Sequence, residues 1–211
     1  MIEPKLDGQI LPLFATPLYT HKLEHIELEN AQNDILPVVE KLYNENMWGQ
    51  NEQWGSSTHQ LSNNGNFQDC IIKAENMINL KQSIMNHVGN YMSHMKVRSD
   101  YKSAITSSWL TLTNKGLHAH IHDHGTCHIS GVYWYKTNGN DGNIVFRNAL
   151  KALKCNPIGA TFAHENEFSP EEGRIVMWPS FLDHSVNENR SDNDRISLSF
   201  NVLLETGITE R

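Results

Sequence analysis

The chain has 211 residues, of which 38% are hydrophobic and 19% charged, enough for one well-buried domain with a polar surface. A net charge of −7, with no local cluster of lysine or arginine, argues against nonspecific nucleic-acid binding, because no basic excess is available to neutralise phosphates. Cys70, Cys127 and Cys155 are odd in number and without paired spacing, which argues against a disulfide framework or a thiolate zinc site and fits a reducing, cytoplasmic setting.

The N-terminus lacks a basic region followed by an apolar run, so no signal peptide is expected, and no apolar run of about 18 residues offers a membrane span. Residues 9–23 alternate apolar and polar around Pro12 and Pro17, predicting an edge strand or extended arm, since proline cannot donate to a central ladder. From Glu29 to Tyr43 the apolar residues Ile35, Leu36, Val38, Val39 and Leu42 fall at helical spacing, predicting an amphipathic helix interrupted near Pro37. Asn44 to Asn66 is rich in Asn, Gln, Gly and Ser and reads as a long loop. Its Trp48 and Trp54 either form a lid or pack on the core. A second helix is expected from near Asn66 towards Val97, buried through Phe67, Ile71, Ala74, Ile78, Ile84, Val88 and Tyr91, with a break between Asn79 and Lys81 allowed.

From Ser103 the hydrophobic period changes to two. Strands are predicted at Ile105–Thr113, Leu117–His124, His128–Lys136, Asn143–Arg147, Arg174–Pro179, His184–Val186 and Arg195–Leu204. No helix of crossover length separates them, so the sheet is expected to be mainly antiparallel, as in a sandwich, barrel or jelly roll. Ala149 to Glu172 reads as an irregular insertion.

One stretch carries the chemistry. Between Gly116 and Gly125 four histidines, His118, His120, His122 and His124, stand at every second position, and His128 follows. On a strand, alternate side chains share a face, and neutral imidazole is a common transition-metal ligand. The stretch is therefore a metal site or, in the plainer reading, a solvated strand face or tag-like tract. Further on, Arg195, Ser197, Ser199 and Asn201 alternate with Ile196, Leu198, Phe200 and Val202. A guanidinium and a hydroxyl on the polar face of such a strand are equipment for a carboxylate, through a bidentate, charge-assisted clamp.

Two blocks align with each other. Gly116 precedes His122-x-His124, and Gly173 precedes Pro179 and His184 at matching five-residue intervals. The pair resembles the motifs of the cupin superfamily, although His128 replaces the usual glutamate and Phe181 the usual glycine. With Arg195-Ile196-Ser197 eleven residues after His184, the chain resembles the iron(II)- and 2-oxoglutarate-dependent dioxygenases. Within them it is similar to a family of phage and bacterial 2-oxoglutarate/iron oxygenases. The resemblance runs through Leu13-Phe14-x-Thr16-Pro17-Leu18-Tyr19, Trp54-x-Ser56 and Ser130-Gly131-Val132-Tyr133-x-Tyr135. It continues through Gly142-Asn143-Ile144-Val145-Phe146, Ile175-Val176-x-Trp178-Pro179-Ser180 and Ser199-Phe200-Asn201.

That resemblance implies an α+β fold: a double-stranded β-helix (jelly roll), mainly antiparallel, with N-terminal helices packed against it. It implies a single domain over 1–211, in which 1–102 supply the arm, helices and Asn-rich loop and 103–206 the core carrying the metal. The implied iron ligands are His122, His124 and His184, with a register using His120 and His122 as the alternative. Asp123 adjoins both histidines and would face the opposite way on a strand, so the usual carboxylate ligand is missing. The resulting extra positive charge could favour zinc or nickel in purified protein. Arg195 and Ser197 are implied to hold the far carboxylate of 2-oxoglutarate, with Tyr133 as either a further contact or a core tyrosine, and His118 and His128 as surface or supporting residues. The implied reaction is oxidative decarboxylation of 2-oxoglutarate by molecular oxygen, coupled to hydroxylation of an unassigned small-molecule or peptide substrate. The Asn44–Asn66 and Ala149–Glu172 segments would be walls or lids. A cytoplasmic location (the host cytoplasm if phage-encoded) is expected, and an oligomer is compatible with the sequence. The alternatives are a cupin-type metalloprotein that does not use 2-oxoglutarate, or a closed structural metal site completed by His128 or Cys127.

Overall fold

The computed structural model describes residues 15–50, 55, 57–63, 66, 69–148 and 165–206. In chain order its first half contains β1 (Tyr19–Lys22), α1 (His25–Asn44), β2 (Gly49–Gln50), β3 (Gln60–Leu61), α2 (Ile71–Ala74) and α3 (Ile78–His94). The second half contains β4 (Tyr101–Thr113), β5 (Ala119–His122), β6 (Ile129–Lys136), β7 (Ile144–Arg147), β8 (Glu165–Phe168), β9 (Arg174–Pro179), β10 (His184–Val186) and β11 (Arg195–Thr206).

The period-two region forms two sheets. One has seven strands in the order β1-β9-β6-β11-β4-β3-β2, the other four in the order β5-β10-β7-β8, and their strand pairings are antiparallel. From β4 the chain passes repeatedly between the sheets, which makes a jelly roll; with the helices the architecture is α+β. Alternation along each strand divides the core in two. Val132, Trp134, Ile144, Phe146, Val176, Trp178 and Leu182 pack between the sheets. Ile105, Leu110, Leu112, Tyr133, Ile175, Met177, Ile196, Leu198 and Val202 face the helices, where Ile35, Val38, Leu42, Leu80, Ile84 and Val88 cover them. Full burial of each such aliphatic side chain contributes about 1.5–3 kcal/mol, so this interface sets the pose of the large sheet.

Four expectations change. Helix α1 runs unbroken through Pro37, because Ile35, Val38, Val39 and Leu42 hold both sides of the proline against the core while Pro37 itself faces out. The second helix is split, with its break at Glu75–Met77 rather than between Asn79 and Lys81, where Asn76 takes a left-handed φ of 54°. The Asn44–Asn66 loop contributes two short strands, and Trp48 packs partly buried against the helix-side core, with its ring on Tyr43. The second half of the Ala149–Glu172 insertion supplies β8, paired to β7. Leu13, Phe14, Trp54, Ser56, Phe67, Cys155 and most of that insertion lie outside the described residues. No helix among the described residues is long and apolar enough to cross a membrane.

Candidate metal centre

Strand β5 ends at His122, and β10 begins at its cross-strand partner, His184. Just past β5, the His124 amide donates to the Ser180 carbonyl at 2.8 Å, pinning the following turn to the end of β9. The result is a cluster in which His122, His124 and His184 each offer one nitrogen within 4.8 Å of the others. Their ring centroids lie 4.2 Å (His122–His184), 5.1 Å (His122–His124) and 5.2 Å (His124–His184) apart.

The tautomers are set from behind. His122 Nδ1 sits 2.8 Å from the His120 carbonyl and His184 Nδ1 3.0 Å from the Leu182 carbonyl. A carbonyl only accepts, so each Nδ1 carries its proton and each Nε2 keeps a lone pair, the form a metal ligand needs. Burial first, and neighbouring histidines next, hold His124 down to about 4 and His184 well below the usual imidazole range; burial also lowers His122. All three are neutral at physiological pH.

The other histidines of the stretch go elsewhere. His120 is exposed with its ring against His118, the centroids 4.7 Å apart. His128 Nδ1 accepts from the Leu204 amide at 3.1 Å, and Cys127 is likewise outside the cluster, so neither supplies a fourth donor. Asp123 accepts from the Gly125 amide at 2.8 Å and caps the turn instead of joining the three imidazoles.

The cluster opens into a cavity between the sheets. Its lining includes Trp109, Trp134 and Trp178, the aliphatic Val132, Ile144 and Val186, and Arg195, Ser197 and Asn201 from β11. Register places Arg195 there: it opens β11 opposite Thr113, with Ser197 and Asn201 on the same face. Arg195 is 2% exposed. Its Nη1 donates to the Asp141 and Gly142 carbonyls at 2.8 and 2.6 Å, and Nη2 to Thr113 Oγ1 at 3.0 Å. Nε is buried and has no partner. Burial, only partly offset by Asp141, lowers the guanidinium to about 10, so it stays charged at neutral pH. The Asp141 carboxylate is already engaged, accepting from Thr137 Oγ1 and from the Asn138 amide at 2.9 Å. Gly142 makes the close approach feasible: at φ +105°, a Cβ there would meet the Asn187 carbonyl oxygen at 2.3 Å and Arg195 Nη1 at 3.0 Å.

Tyr133 does not join this group. On β6 the side chains facing the cavity are those of Ser130, Val132 and Trp134, with Gly131 lining it through its backbone, so Tyr133 turns to the helix side, fully buried with its hydroxyl unpartnered. The expected cosubstrate contact from Tyr133 is corrected on that ground. Sequence reasoning also passed over His59, which lines the cavity and is held at about 3 by burial, with Arg195 and His122 nearby. It comes from the Asn-rich loop, and no local pattern marks it. Trp178 was quoted only as part of a motif; its alternation with Val176 on β9 was the available signal that it points inward.

These residues fit iron(II) and a 2-oxo diacid. Neutral imidazoles suit iron, and also zinc and nickel. Three protein donors leave positions open, and the buried cation with an unpartnered Nε faces the same cavity as the imidazoles. No curated protein matches the chain. Among solved structures, the alpha ketoglutarate-dependent epimerase SnoN from nogalamycin biosynthesis superposes with a TM-score of 0.63 at 10% identity, covering 89% of this chain and 78% of that one. SnoN has also been crystallised with Fe3+ and alpha ketoglutarate. A prolyl-4-hydroxylase from Pseudomonas putida gives a TM-score of 0.57 at 12% identity, over 88% of this chain and 92% of that one. A partial match, to a 2OG-Fe(II) oxygenase family oxidoreductase from Burkholderia pseudomallei, spans 62% of this chain and 59% of that one, at 17% identity and a TM-score of 0.45. The sequence family described as "Putative 2OG-Fe(II) oxygenase" matches residues 107–201, a span that holds the three clustered histidines, Arg195 and Ser197. Through that match, residues 107–201 are similar to the iron(II)- and 2-oxoglutarate-dependent oxygenases.

Proposed function

We propose that the protein hydroxylates a substrate using iron(II) and 2-oxoglutarate, with iron held by His122, His124 and His184 and the far carboxylate of 2-oxoglutarate held by Arg195 and Ser197. The observation that carries this is the buried guanidinium. Three of its five N–H donors are used internally, which leaves Nε–H and one Nη2–H for a carboxylate inside the cavity that the three imidazoles border. A buried cation with no carboxylate partner is costly, and an incoming dianion compensates it.

When bound, iron and 2-oxoglutarate supply the oxidative chemistry: dioxygen is consumed, the 2-oxo acid becomes succinate and carbon dioxide, and one oxygen atom enters the substrate. The chain's own residues bind, orient and exclude water. The carbonyls behind His122 and His184 lock their rings with Nε2 forward. Arg195 fixes the cosubstrate's far end and therefore which end meets the imidazoles. Trp109, Trp134, Trp178 and Val132 keep the cavity dry. His59 and Leu61 form one wall from the Asn44–Asn66 segment.

The free thiols of Cys70 and Cys127 support a reducing, cytoplasmic setting. One core cluster joining α1 and α3 to the large sheet supports a single domain. The test is succinate release dependent on iron and 2-oxoglutarate, first without substrate and then with small-molecule and peptide collections screened for stimulation. Failure of the metal-loaded protein to bind 2-oxoglutarate under anaerobic calorimetry overturns the reading.

A further inference from the structure

A second group of donors lies where β1, the first turn of α1 and the middle of α3 meet, and none of its residues lines the cavity. His21, Glu27 and His87 each present one ligand atom within 4.8 Å of the other two. Tyr19 and His21 stand two apart on β1 and share a face, while Ser83, His87 and Tyr91 stack at helical spacing on α3.

His87 is the informative member. It is 7% exposed, and its Nδ1 lies 2.7 Å from the Tyr19 hydroxyl. Its Nε2 is buried without a hydrogen-bond partner, and Glu27 Oε1 stands 3.6 Å away. That is too long for a good hydrogen bond. It is close to the separation of about 3.3–3.4 Å that two donors adopt across one tetrahedral ion with bonds of about 2.0–2.1 Å. Ser83 Oγ donates to the same carboxylate oxygen at 2.5 Å and fixes its position. The His21 ring approaches the His87 ring from the open side, centroid to centroid 4.2 Å.

We propose that His21, Glu27 and His87 form a second metal site, for a divalent transition cation of the zinc class. Two imidazoles and one carboxylate provide a borderline donor set with one side open to water, since His21 is exposed. In the tautomer in which the Tyr19 hydroxyl accepts from Nδ1–H, His87 Nε2 turns a lone pair towards the Glu27 carboxylate, and a cation between them removes that repulsion. Occupancy ties β1, an edge strand of the large sheet, to both long helices, so the ion acts as a brace away from the chemistry.

Equilibrium dialysis of the full chain against zinc(II), with metal counted by atomic spectroscopy, tests this. His21→Ala and Glu27→Gln change groups that are exposed or half-exposed, so they avoid the folding risk of replacing buried His87. Each is expected to bind about one equivalent less than the parent, or to hold that equivalent at least about tenfold more weakly, while succinate release is unchanged. His122→Ala is expected to lose a different equivalent, so His21→Ala/His122→Ala loses about two. Binding by His21→Ala and Glu27→Gln indistinguishable from the parent overturns the proposal and leaves the oxygenase reading intact. Loss of zinc from His122→Ala alone, with a parent that binds only one equivalent, also overturns it.

Discussion

Arg195→Gln is the perturbation that most directly separates a cosubstrate clamp from a structural arginine. In the folded protein, Nη1 and Nη2 make three internal hydrogen bonds, to the Asp141 and Gly142 carbonyls and to Thr113 Oγ1. The glutamine amide replaces at least one of these, so the fold is weakened but retained. The cosubstrate loses more. Two charge-assisted hydrogen bonds, at about 1.5–3 kcal/mol each, disappear, and the lower bound of about 3 kcal/mol corresponds to a roughly 150-fold rise in Kd for 2-oxoglutarate. The assay is anaerobic calorimetry on protein loaded with manganese(II), a redox-quiet substitute for iron, with 2-oxoglutarate compared against 2-oxopentanoate, which lacks the far carboxylate. The parent prefers the diacid, and in Arg195→Gln the preference collapses towards unity. Urea unfolding of the same variant reports the loss of internal bonds separately. If the variant is destabilised yet still prefers 2-oxoglutarate as strongly as the parent, Arg195 is only a structural cation and the clamp is wrong.

Ser197→Ala removes one neutral hydroxyl from the same wall and is expected to raise the 2-oxoglutarate Kd about fivefold, from about 1 kcal/mol, with no change for 2-oxopentanoate. His122→Ala and His184→Ala each abolish tight iron binding in anaerobic dialysis, whereas Asp123→Ala retains it, because that carboxylate caps Gly125; full retention by both histidine variants would rule out the ligand set. In a His21→Ala background, which removes the second site, a metal ion at about 100 times its Kd stabilises the protein by about 2.7 kcal/mol through mass action, an increase that chelator reverses and that adding His184→Ala abolishes in thermal unfolding. Gly142→Ala forces a side chain onto φ +105° and a Cβ to 2.3 Å from the Asn187 carbonyl oxygen, so denaturant unfolding should show a loss of about 1–3 kcal/mol together with weaker 2-oxoglutarate binding.

Much of the jelly roll was legible because β4–β7 and β9–β11 alternate apolar and polar residues, and period two is a local property of the chain. Strands β9 and β10 were placed to the residue, since turn-forming residues bound both. The short pieces were not legible. The two-residue strands β2 and β3 and the acidic, exposed β8 have no periodicity of their own and exist because a neighbouring strand offers them a ladder. Pro37 misled for a related reason: its local cost to a helix is real, but the packing on either side of it outweighs that cost.

The sequence by itself determined the donor types and their intervals: four histidines at alternate positions, a fifth at 184, and an arginine opening a strand whose other face is apolar. It therefore determined that the chain could build a metal centre with a charged clamp. Only the tertiary structure decided which histidines meet. Pairing of β5 with β10 sets His184 opposite His122, while the turn pinned at Ser180 swings His124 in and leaves His120 edge-on against His118. Strand parity decided against Tyr133, and the loop that carries His59 to the cavity wall has no sequence signature. The His21–Glu27–His87 group belongs to the fold, because His87 lies sixty residues beyond Glu27 and joins His21 and Glu27 only when α1 packs against α3.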